Sequence, residues 1–431
     1  MKFATSGALC VLLALTGPAI ASTGPCGGYS FSPSPKIETG EPLTLNAALE
    51  RVRTLSPEAR AAALETQARV AEADQAGRWN NPTLLVEVEN FGGSGSLSGF
   101  DQREATYAVE QVFEMGGQRS KRKAAARALA ALASADCAVI LREAELQTAT
   151  LFYDLAAAAA LTELAEDASA LSEDLAAVVR RRVEAGAAAP PEYSRAASDA
   201  AAMKARAESF RANVDRLAFA LSAMWGSDEH TFSPPILSTE QDADQVAAMS
   251  PHPLVARAEA AQAASLATAR AERAEVFPDV SITLGVRQFE GTGEDALIAG
   301  IGVPLPLFDR NRDASRAADY RAGAADIDRD AALRRIAGEQ SSVLRQVEAL
   351  QRQVELLQAN ALPSSEEAYS ASLRGYQAGR FSLTDTLDAR RSLIETRSAL
   401  IEAKRDLAVS QVRLASLLGT GPFSNGGRDA E

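Results

Sequence analysis

Two aspartates, Asp385 and Asp388, are the residues whose type and spacing most directly suggest chemistry. They lie three residues apart near the start of a helical segment, so both carboxylates share one side of the helix. Carboxylates grouped in this way attract cations and hinder anions at a constriction. Acidic residues in a first helical turn also stabilise the helix dipole, and this alternative requires no channel.

Two groups of basic residues are the second candidate for a functional site. Each group follows a predicted pair of strands, where cations could contact phospholipid head groups. A solvated helix face is the alternative. The basic residues in question are Arg119, Lys121, Arg122 and Lys123 in the first group, and Arg310, Arg312 and Arg316 in the second.

The composition excludes several classes of protein. The 431 residues carry 44 basic and 57 acidic side chains, a net charge of −13 that argues against nucleic-acid binding. Two histidines and three cysteines form no Cys/His metal motif, although a site made of carboxylates stays open. No nucleophile elbow or phosphate loop occurs. We therefore predict no catalytic residue, no cofactor and no enzymatic activity.

The N-terminus predicts export from the cytoplasm. Residues 1–21 contain one lysine, an apolar stretch and an Ala19-Ile20-Ala21 cleavage site, which is typical of a secretory signal peptide. A membrane anchor is the alternative, but the apolar stretch is shorter than the ~20 residues of a spanning helix. We expect no later segment to be long and apolar enough to span as a helix.

The cysteines that remain after cleavage are Cys26 and Cys137. Lipidation of Cys26 stays open, although Pro25 precedes it where a small residue is expected. A disulfide is possible but not favoured, because Cys137 falls inside a predicted helix and Cys26 in a loose tail.

The chain contains two copies of one unit of helix, strand, strand, long helix, turn and helix. Matching landmarks, such as Val183–Gly186 with Tyr376–Gly379, recur about 194 residues apart in the same order. Chance matches in an alanine-rich chain are the alternative. The predicted organisation is a signal peptide (1–21), a flexible tail (22–41), a first repeat (42–226), a linker (227–253), a second repeat (254–418) and a flexible tail (419–431).

Four strands are predicted, two in each repeat. Residues 84–89 and 280–287 alternate between apolar and polar, and their partners run over 105–113 and 296–303. Such strands are typical of a membrane β-barrel, with a half-buried soluble hairpin as the alternative. Four strands cannot close a barrel, whose smallest form has ~8, so the chain is expected to oligomerise.

Two long helices set the other dimension of the molecule. Residues 117–184 and 311–377 would each extend ~100 Å at 1.5 Å per residue. Shorter helices at 57–79 with 192–224, and at 254–276 with 384–418, could stack end to end beside them. Leucines every seven residues from Leu393 to Leu414 alternate with small residues, which favours a helical barrel or coiled-coil wall over an ordinary core helix.

The sequence resembles the TolC family of outer membrane efflux proteins over essentially the whole mature chain. Four segments carry the most specific resemblance. They are Gln111–Arg119, Ala189–Ala196, Val303–Arg312 and Tyr376–Ala389. The second and third segments are most similar to the heavy-metal, CzcC-like branch.

The resemblance implies a mainly α fold with a small β part: tandem-duplicated hairpins of long helices form a periplasmic α-barrel, and four strands per chain contribute to a trimeric 12-stranded transmembrane β-barrel. It implies docking to a periplasmic adaptor (a membrane fusion protein) and an inner membrane pump of the resistance-nodulation-division class. The turn glycines Gly186 and Gly379 would meet the adaptor, and Asp385 and Asp388 match the family's gating aspartates. Glu192 and Arg195 replace them in the first copy, so the gate would be asymmetric.

The sequence therefore predicts an outer membrane exit duct with a helical periplasmic extension, which passively exports heavy-metal cations. A drug or general-export duct of the same family is one alternative. A periplasmic coiled-coil adaptor or scaffold is another, but duplicated amphipathic strands count against it.

Overall fold

The computed structural model describes Cys26 and residues 42–228, 232–237 and 252–420. The predicted signal peptide, most of both predicted tails and His230 lie outside these residues. Within them, eight α-helices and four strands follow one another. In chain order these are α1 (Leu45–Leu55), α2 (Pro57–Ala76), β1 (Thr83–Glu89), β2 (Glu104–Phe113), α3 (Gln118–Glu184), α4 (Pro190–Ala223), α5 (Pro253–Ala274), β3 (Val280–Phe289), β4 (Glu294–Gly302), α6 (Arg312–Leu356), α7 (Leu362–Gln377) and α8 (Leu383–Leu418).

The order of the elements confirms the predicted fold class. Each long helix follows a β-hairpin and is followed by a tight turn and a returning helix. The short helix α1 is an addition that the sequence analysis did not anticipate. Thr44 caps α1 by accepting a hydrogen bond from the Ala47 N–H at 3.3 Å. Helix α1 buries Leu49 and Val52 completely, in the largest apolar core of the described chain.

The four strands form one antiparallel sheet in the order β1-β2-β3-β4. Leu84 pairs with Val109, Val109 with Leu284, and Leu284 with Ala299, so apolar residues cross the sheet in rows on one face. Leu84 and Leu284 are 71% and 61% exposed, and Leu297 on the same face is 90% exposed. An exposed face this apolar suits contact with lipid rather than with water.

The opposite face of the sheet is polar. Arg287 of β3 donates to the Thr106 hydroxyl at 3.0 Å and lies 3.3 Å from the carboxylates of both Glu89 and Glu104. Glu110 accepts from the Thr283 hydroxyl at 3.4 Å on the same face. The sheet therefore has the lipid-facing and water-facing sides that the alternating sequence predicted.

Helices α2 and α4 lie one after the other along α3, as the sequence analysis expected. The start of α3 contacts the end of α2 through Arg122, whose Nε donates to the Ala76 carbonyl at 3.3 Å. The distal part of α3 contacts α4 through Glu166 and Arg211, 2.7 Å apart. Helices α5 and α8 lie along α6 and α7 in the second repeat.

The long helix of the second repeat differs from α3 in one respect. Residues Leu357–Ala361 form a π-helical turn between α6 and α7, and Pro363 is near the start of α7. Proline has no N–H to donate, so the regular α-helical hydrogen bonding is interrupted at this point. The predicted single helix over 311–377 is therefore a helix with an internal irregularity.

Small residues separate the leucines along α8. Leu393, Leu400 and Leu407 are buried, as are Ala403 between the last two and Ser410 three residues beyond Leu407. Side chains of alternating size allow α8 to pack closely against α3 and α6. The leucine spacing thus corresponds to a helix that packs against two neighbouring helices.

One described helix, α3, is long and apolar enough by length and composition to cross a membrane, with a mean hydropathy of 1.7 in its most apolar window. The expectation that no later segment would qualify was wrong. The apolarity comes largely from alanine, which serves close helix packing here, since α3 lies against α2, α4 and α5.

Candidate functional site at the helical tips

The two turns at the ends of the long helices have the same backbone geometry. Gly186 follows the end of α3 with φ = 68°, and Gly379 follows the end of α7 with φ = 72°. The Ala187 N–H donates to the Arg182 carbonyl at 2.7 Å, and the Arg380 N–H donates to the Gly375 carbonyl at 2.8 Å. These glycines end the helices in a left-handed conformation that an L side chain adopts only with strain.

Asp385 caps the N-terminus of α8. Its carboxylate accepts from the Ser382 N–H at 3.1 Å and from the Ser382 hydroxyl at 2.8 Å. The Asp385 N–H donates in turn to the Ser382 Oγ at 3.2 Å. Hydrogen bonds from the Ser382 side chain and backbone lower the pKa of Asp385 below its usual value of 3.8. Asp385 therefore stabilises the start of α8, and the same hydrogen bonds favour its charged form.

Asp388 lies on the surface of the same helix. Its carboxylate is 3.7 Å from the Arg391 guanidinium, and its side chain is 60% exposed. An exposed ion pair at this distance is weak. The Asp388 carboxylate can therefore still interact with another charged group that approaches this face. The structure thus places both aspartates close to the turn at Gly379 and exposes them.

A buried arginine joins the two hairpins, and the sequence analysis did not find it. Arg390 of α8 is only 3% exposed. Its guanidinium donates to the hydroxyl of Ser172 on α3 and forms an ion pair with Asp199 on α4. The available signal was its position: Arg390 continues the apolar stripe formed by Leu383 and Leu387, where a charge requires a buried partner.

Three more residue pairs join the two hairpins near their turns. Arg182 of α3 donates to the Tyr376 carbonyl at 2.6 Å, and its guanidinium lies 4.7 Å from the centre of the Tyr376 ring. The Tyr376 hydroxyl donates to Glu192 at 3.3 Å, and Arg195 donates to the Thr384 hydroxyl at 3.1 Å. Burial and the nearby Glu192 carboxylate raise the pKa of Tyr376, so its hydroxyl stays protonated and able to donate.

The two repeats differ at their tips, and the residues that differ have a structural role. Glu192 and Arg195, which replace the paired aspartates in the first repeat, reach across to α7 and α8. The second repeat presents exposed carboxylates, and the first repeat supplies groups that fasten the two hairpins together. The sequence analysis identified this asymmetry but not the residues that Glu192 and Arg195 contact.

The first basic group lies where the sheet meets the helices, and much of it is engaged within the chain. Arg119 stacks over Trp79 at 3.9 Å from the ring centre, and Arg122 donates to Glu114 at 2.9 Å and 3.3 Å. Lys123 lies 3.9 Å from Asp74. These contacts fix the start of α3 to α2 and to the residues that flank the first β-hairpin.

Two further members have local partners. Lys121 donates to the Gly116 carbonyl at 3.4 Å, and Arg310 donates to the Pro306 carbonyl at 3.2 Å. Arg312 begins α6, and Arg316 forms an ion pair with Asp313 one turn away.

Asp309 and Asn311 precede α6, and aspartate and asparagine are residue types expected to cap a helix. Asn311 stands at the cap position, but its side chain donates instead to the Glu272 carbonyl of α5 at 2.7 Å. Asp309 accepts from the Asn311 N–H at 2.9 Å. Both residues therefore secure the entry into α6 without the expected side-chain cap.

A short sheet with one lipid-facing side, attached to long helices with a charged tip, defines a class of membrane channel with an extramembrane helical extension. The family model described as "Outer membrane efflux protein" matches residues 246–420. The chain is 28% identical over 394 residues to the cobalt-zinc-cadmium resistance protein CzcC of Cupriavidus metallidurans. The matched region covers 86% of this chain and 88% of that protein.

A second relative is 30% identical over 336 residues, covering 73% of each chain. It is the nickel-cobalt-cadmium resistance protein NccC of Alcaligenes xylosoxydans xylosoxydans. Among solved structures, the outer membrane protein VceC of Vibrio cholerae has the same fold, with a TM-score of 0.74 and 22% identity over 88% of this chain and 97% of that one.

The chain belongs to the outer membrane efflux protein family, the family of TolC. It is an outer membrane efflux channel with a helical periplasmic part, as the sequence predicted. Proteins of this family are channels rather than enzymes. They are trimers that work together with adaptors and inner membrane pumps.

Proposed function

We propose that this protein is the exit duct for heavy-metal cations in a tripartite efflux system. The observation that carries this proposal is the similarity to cobalt-zinc-cadmium and nickel-cobalt-cadmium resistance proteins along most of the chain. The duct is passive, and the inner membrane pump supplies the energy.

The chemistry of the chain is consistent with a duct that does not bind its cargo tightly. Within the described residues, no group of three His, Cys, Asp or Glu side chains is placed to hold a metal ion. A channel conducts only if its sites are weak enough to release the ion. Selection of the metal therefore belongs to the pump, and the duct contributes a favourable electrostatic path.

The functional unit is a homotrimer. Among the strands that the structure describes, β1 and β4 each leave one edge of the sheet without a strand partner, and four strands are too few to close a barrel. Three copies arranged around an axis, with β4 of one copy beside β1 of the next, give twelve strands and leave no free edge. The apolar face of each sheet then meets the outer membrane lipid.

The tips of the trimer dock to a periplasmic adaptor, and through it to a resistance-nodulation-division pump. Gly186 and Gly379 support this role because they end both long helices in compact, exposed turns. These turns project beyond the helical wall, where a helical hairpin of the adaptor can pack between them.

Asp385 and Asp388 form the periplasmic gate. In a threefold arrangement they make two stacked rings of three carboxylates, whose charge favours cations over anions. The contacts that join the hairpins through Arg390, Arg182 and Tyr376 keep the tips together. The basic groups at the other end of the helices (Arg119, Lys121, Arg122, Lys123, Arg310 and Arg312) lie near the phosphates of the inner leaflet.

A deletion strain tests the metal assignment. Loss of the gene should lower the tolerated concentrations of zinc, cobalt and cadmium, and expression of the intact protein should restore them. Copper, silver and a panel of drugs complete the comparison. Unchanged tolerance of all five metals with increased drug sensitivity would contradict the metal assignment and favour a drug or general-export duct.

A further inference from the structure

Two cysteines far apart in the sequence are joined in the structure. Cys26 and Cys137 form a disulfide between positions separated by 111 residues, with their Cα atoms 5.8 Å apart. Cys26 is 7% exposed and Cys137 is 1% exposed. Both pack against Ala63 of α2, and Ala62 and Ala138 lie beside them. The sequence analysis did not favour this pairing, because it treated the segment around Cys26 as loose.

The position of the bond defines what it encloses. The ring of chain closed by the disulfide contains α1, α2, the first β-hairpin and the start of α3. A second attachment lies nearby along the chain, where the Leu43 N–H donates to the Ser233 carbonyl at 3.3 Å. The chain is thus fixed at two points before α1 begins. The sequence has three cysteines, and none falls in the second repeat, so this cross-link belongs to one copy alone.

We propose that Cys26–Cys137 is a permanent structural cross-link, formed after export, that fastens the N-terminal segment to the α2/α3 pair. It follows that Cys26 is a disulfide partner and not a site of lipid attachment. Lipidation would join a diacylglycerol to the same sulfur through a thioether, so one Cys26 sulfur cannot serve both purposes. The burial of this sulfur beside Ala63 agrees with the cross-link, because a lipid-bearing cysteine has to reach the bilayer.

Formation of the bond requires an oxidant, and the chemistry identifies its class as a periplasmic protein that carries an oxidised disulfide. The thiolate of one cysteine attacks the disulfide of the carrier, and one carrier sulfur leaves as a thiolate. The thiolate of the second cysteine then attacks the mixed disulfide and releases the carrier. Two electrons and the two thiol protons pass to the carrier, which leaves as a dithiol. Cys10 lies in the predicted signal peptide, so the mature chain presents a single possible pair.

Thiol labelling and peptide mapping of the intact membrane protein test the bond directly. Wild-type protein, trapped with acid and denatured, should react with no maleimide before reduction and with two per chain after it. A non-reduced digest should contain the Cys26 peptide linked to the Cys137 peptide. Two reactive thiols without reduction, or a Cys26 peptide that carries the mass of a diacylglycerol, would overturn the proposal.

Matched single variants separate a cross-link from a lipid anchor. If the bond holds the N-terminal segment, Cys26→Ser, Cys137→Ser and the double variant should lower the temperature at which trimers dissociate in detergent, and by equal amounts. If Cys26 is instead a lipid site, only Cys26→Ser and the double variant should change. Equal dissociation temperatures for the wild type and all three variants would contradict the fastening role.

A measurement on the wild-type chain covers the case in which a variant fails to fold. Wild-type protein made in a strain without the periplasmic disulfide carrier should accumulate with both thiols free and should show the same lowered dissociation temperature. Fully linked protein from that strain would contradict the proposed route of oxidation. None of these results depends on which substrate the duct exports.

Discussion

Arg390 illustrates how much a single side chain contributes at the tips. Its guanidinium is buried and contacts groups on both helices of the other hairpin, Ser172 and Asp199. Removing one partner of a buried ion pair is costly because the other partner is left without compensation. Arg391, the next residue, has an exposed side chain and a weak local partner, so it provides a matched control.

Arg390→Ala should destabilise the joined hairpins by about 2–3 kcal/mol, somewhat less than a fully buried pair because Asp199 is partly exposed. If the joined state is the closed gate, single-channel conductance in planar bilayers should rise. Arg391→Ala, which removes only an exposed pair, should leave the stability of the joined hairpins near that of the wild type. Equal conductance of the Arg390 variant and the wild type would show that this contact does not hold the gate.

The charge of Asp385 leads to a prediction about pH. A lowered pKa means that the folded protein binds this proton less readily than the unfolded chain does. The stability contributed by the charged cap is therefore present above the usual pKa of 3.8 and is lost as the pH falls through the lower folded value. The cation preference of the channel should persist at about pH 4 and decline below it.

Reversal potentials measured in a salt gradient at several pH values test this prediction. Ser382→Ala removes a hydroxyl that donates to the carboxylate. The cation preference should then decline at a higher pH than in the wild type. Asp385→Ala combined with Asp388→Ala should reduce it at every pH. A cation preference that is unaffected by the double substitution would exclude these residues as the gate.

At the scale of elements, the sheet and the helices follow different rules. The strands alternate, and this alternation assigns Leu284 to the lipid face and its neighbour Thr283 to the polar face. In the helices, alanines and serines between leucines determine how closely α3, α6 and α8 approach. Both patterns could be recognised in the sequence because each depends on the spacing of nearby residues.

The two faces of β3 predict opposite outcomes for one kind of substitution. Leu284→Arg places a charge in the lipid, which costs about 2–4 kcal/mol near the middle of the bilayer. The variant should show a marked loss of heat-resistant trimer in outer membrane fractions. Thr283→Arg, one residue earlier and facing the polar side, should assemble at the wild-type level. Equal assembly of the two variants would contradict the assignment of the faces.

At the scale of the whole molecule, the length of α3 dominates the shape. Its 67 residues extend about 100 Å, and a ten-residue strand adds at most about 33 Å. A compact chain of this size would have a radius of gyration of only about 22 Å. The molecule is therefore elongated, with the sheet at one end and the turns at Gly186 and Gly379 at the other.

Electron microscopy of the purified trimer should show a particle about 130 Å long, narrower than it is long. The full chain in detergent gives this length directly, because the sheet and the tips are then both present in the particle. A compact trimer about 85 Å across would contradict the continuous path of α3 from the sheet to the turn at Gly186.

The duplicated plan, the positions of the strands and the ends of the long helices could all be predicted from the amino-acid sequence. These features depend on local patterns: alternation in the strands, leucine spacing in α8, and glycine where a turn requires a positive φ. The family resemblance rested instead on four short segments, and the resemblance implied the trimeric barrel. Helix α1 was missed because its short segment lies next to a Gly- and Pro-rich stretch that obscured its apolar periodicity.

Contacts between residues that are far apart in the sequence became known only from the tertiary structure. The pairs Arg390 with Asp199 and Tyr376 with Glu192 join residues more than 180 positions apart. The bond between Cys26 and Cys137 spans 111 positions. Spacing along the chain carries no information about such pairs, because they form only when two hairpins and the segment before α1 pack side by side. For that reason Asp385 and Asp388 could be proposed as gate residues from the sequence, whereas the contacts that join the two hairpins could not be predicted.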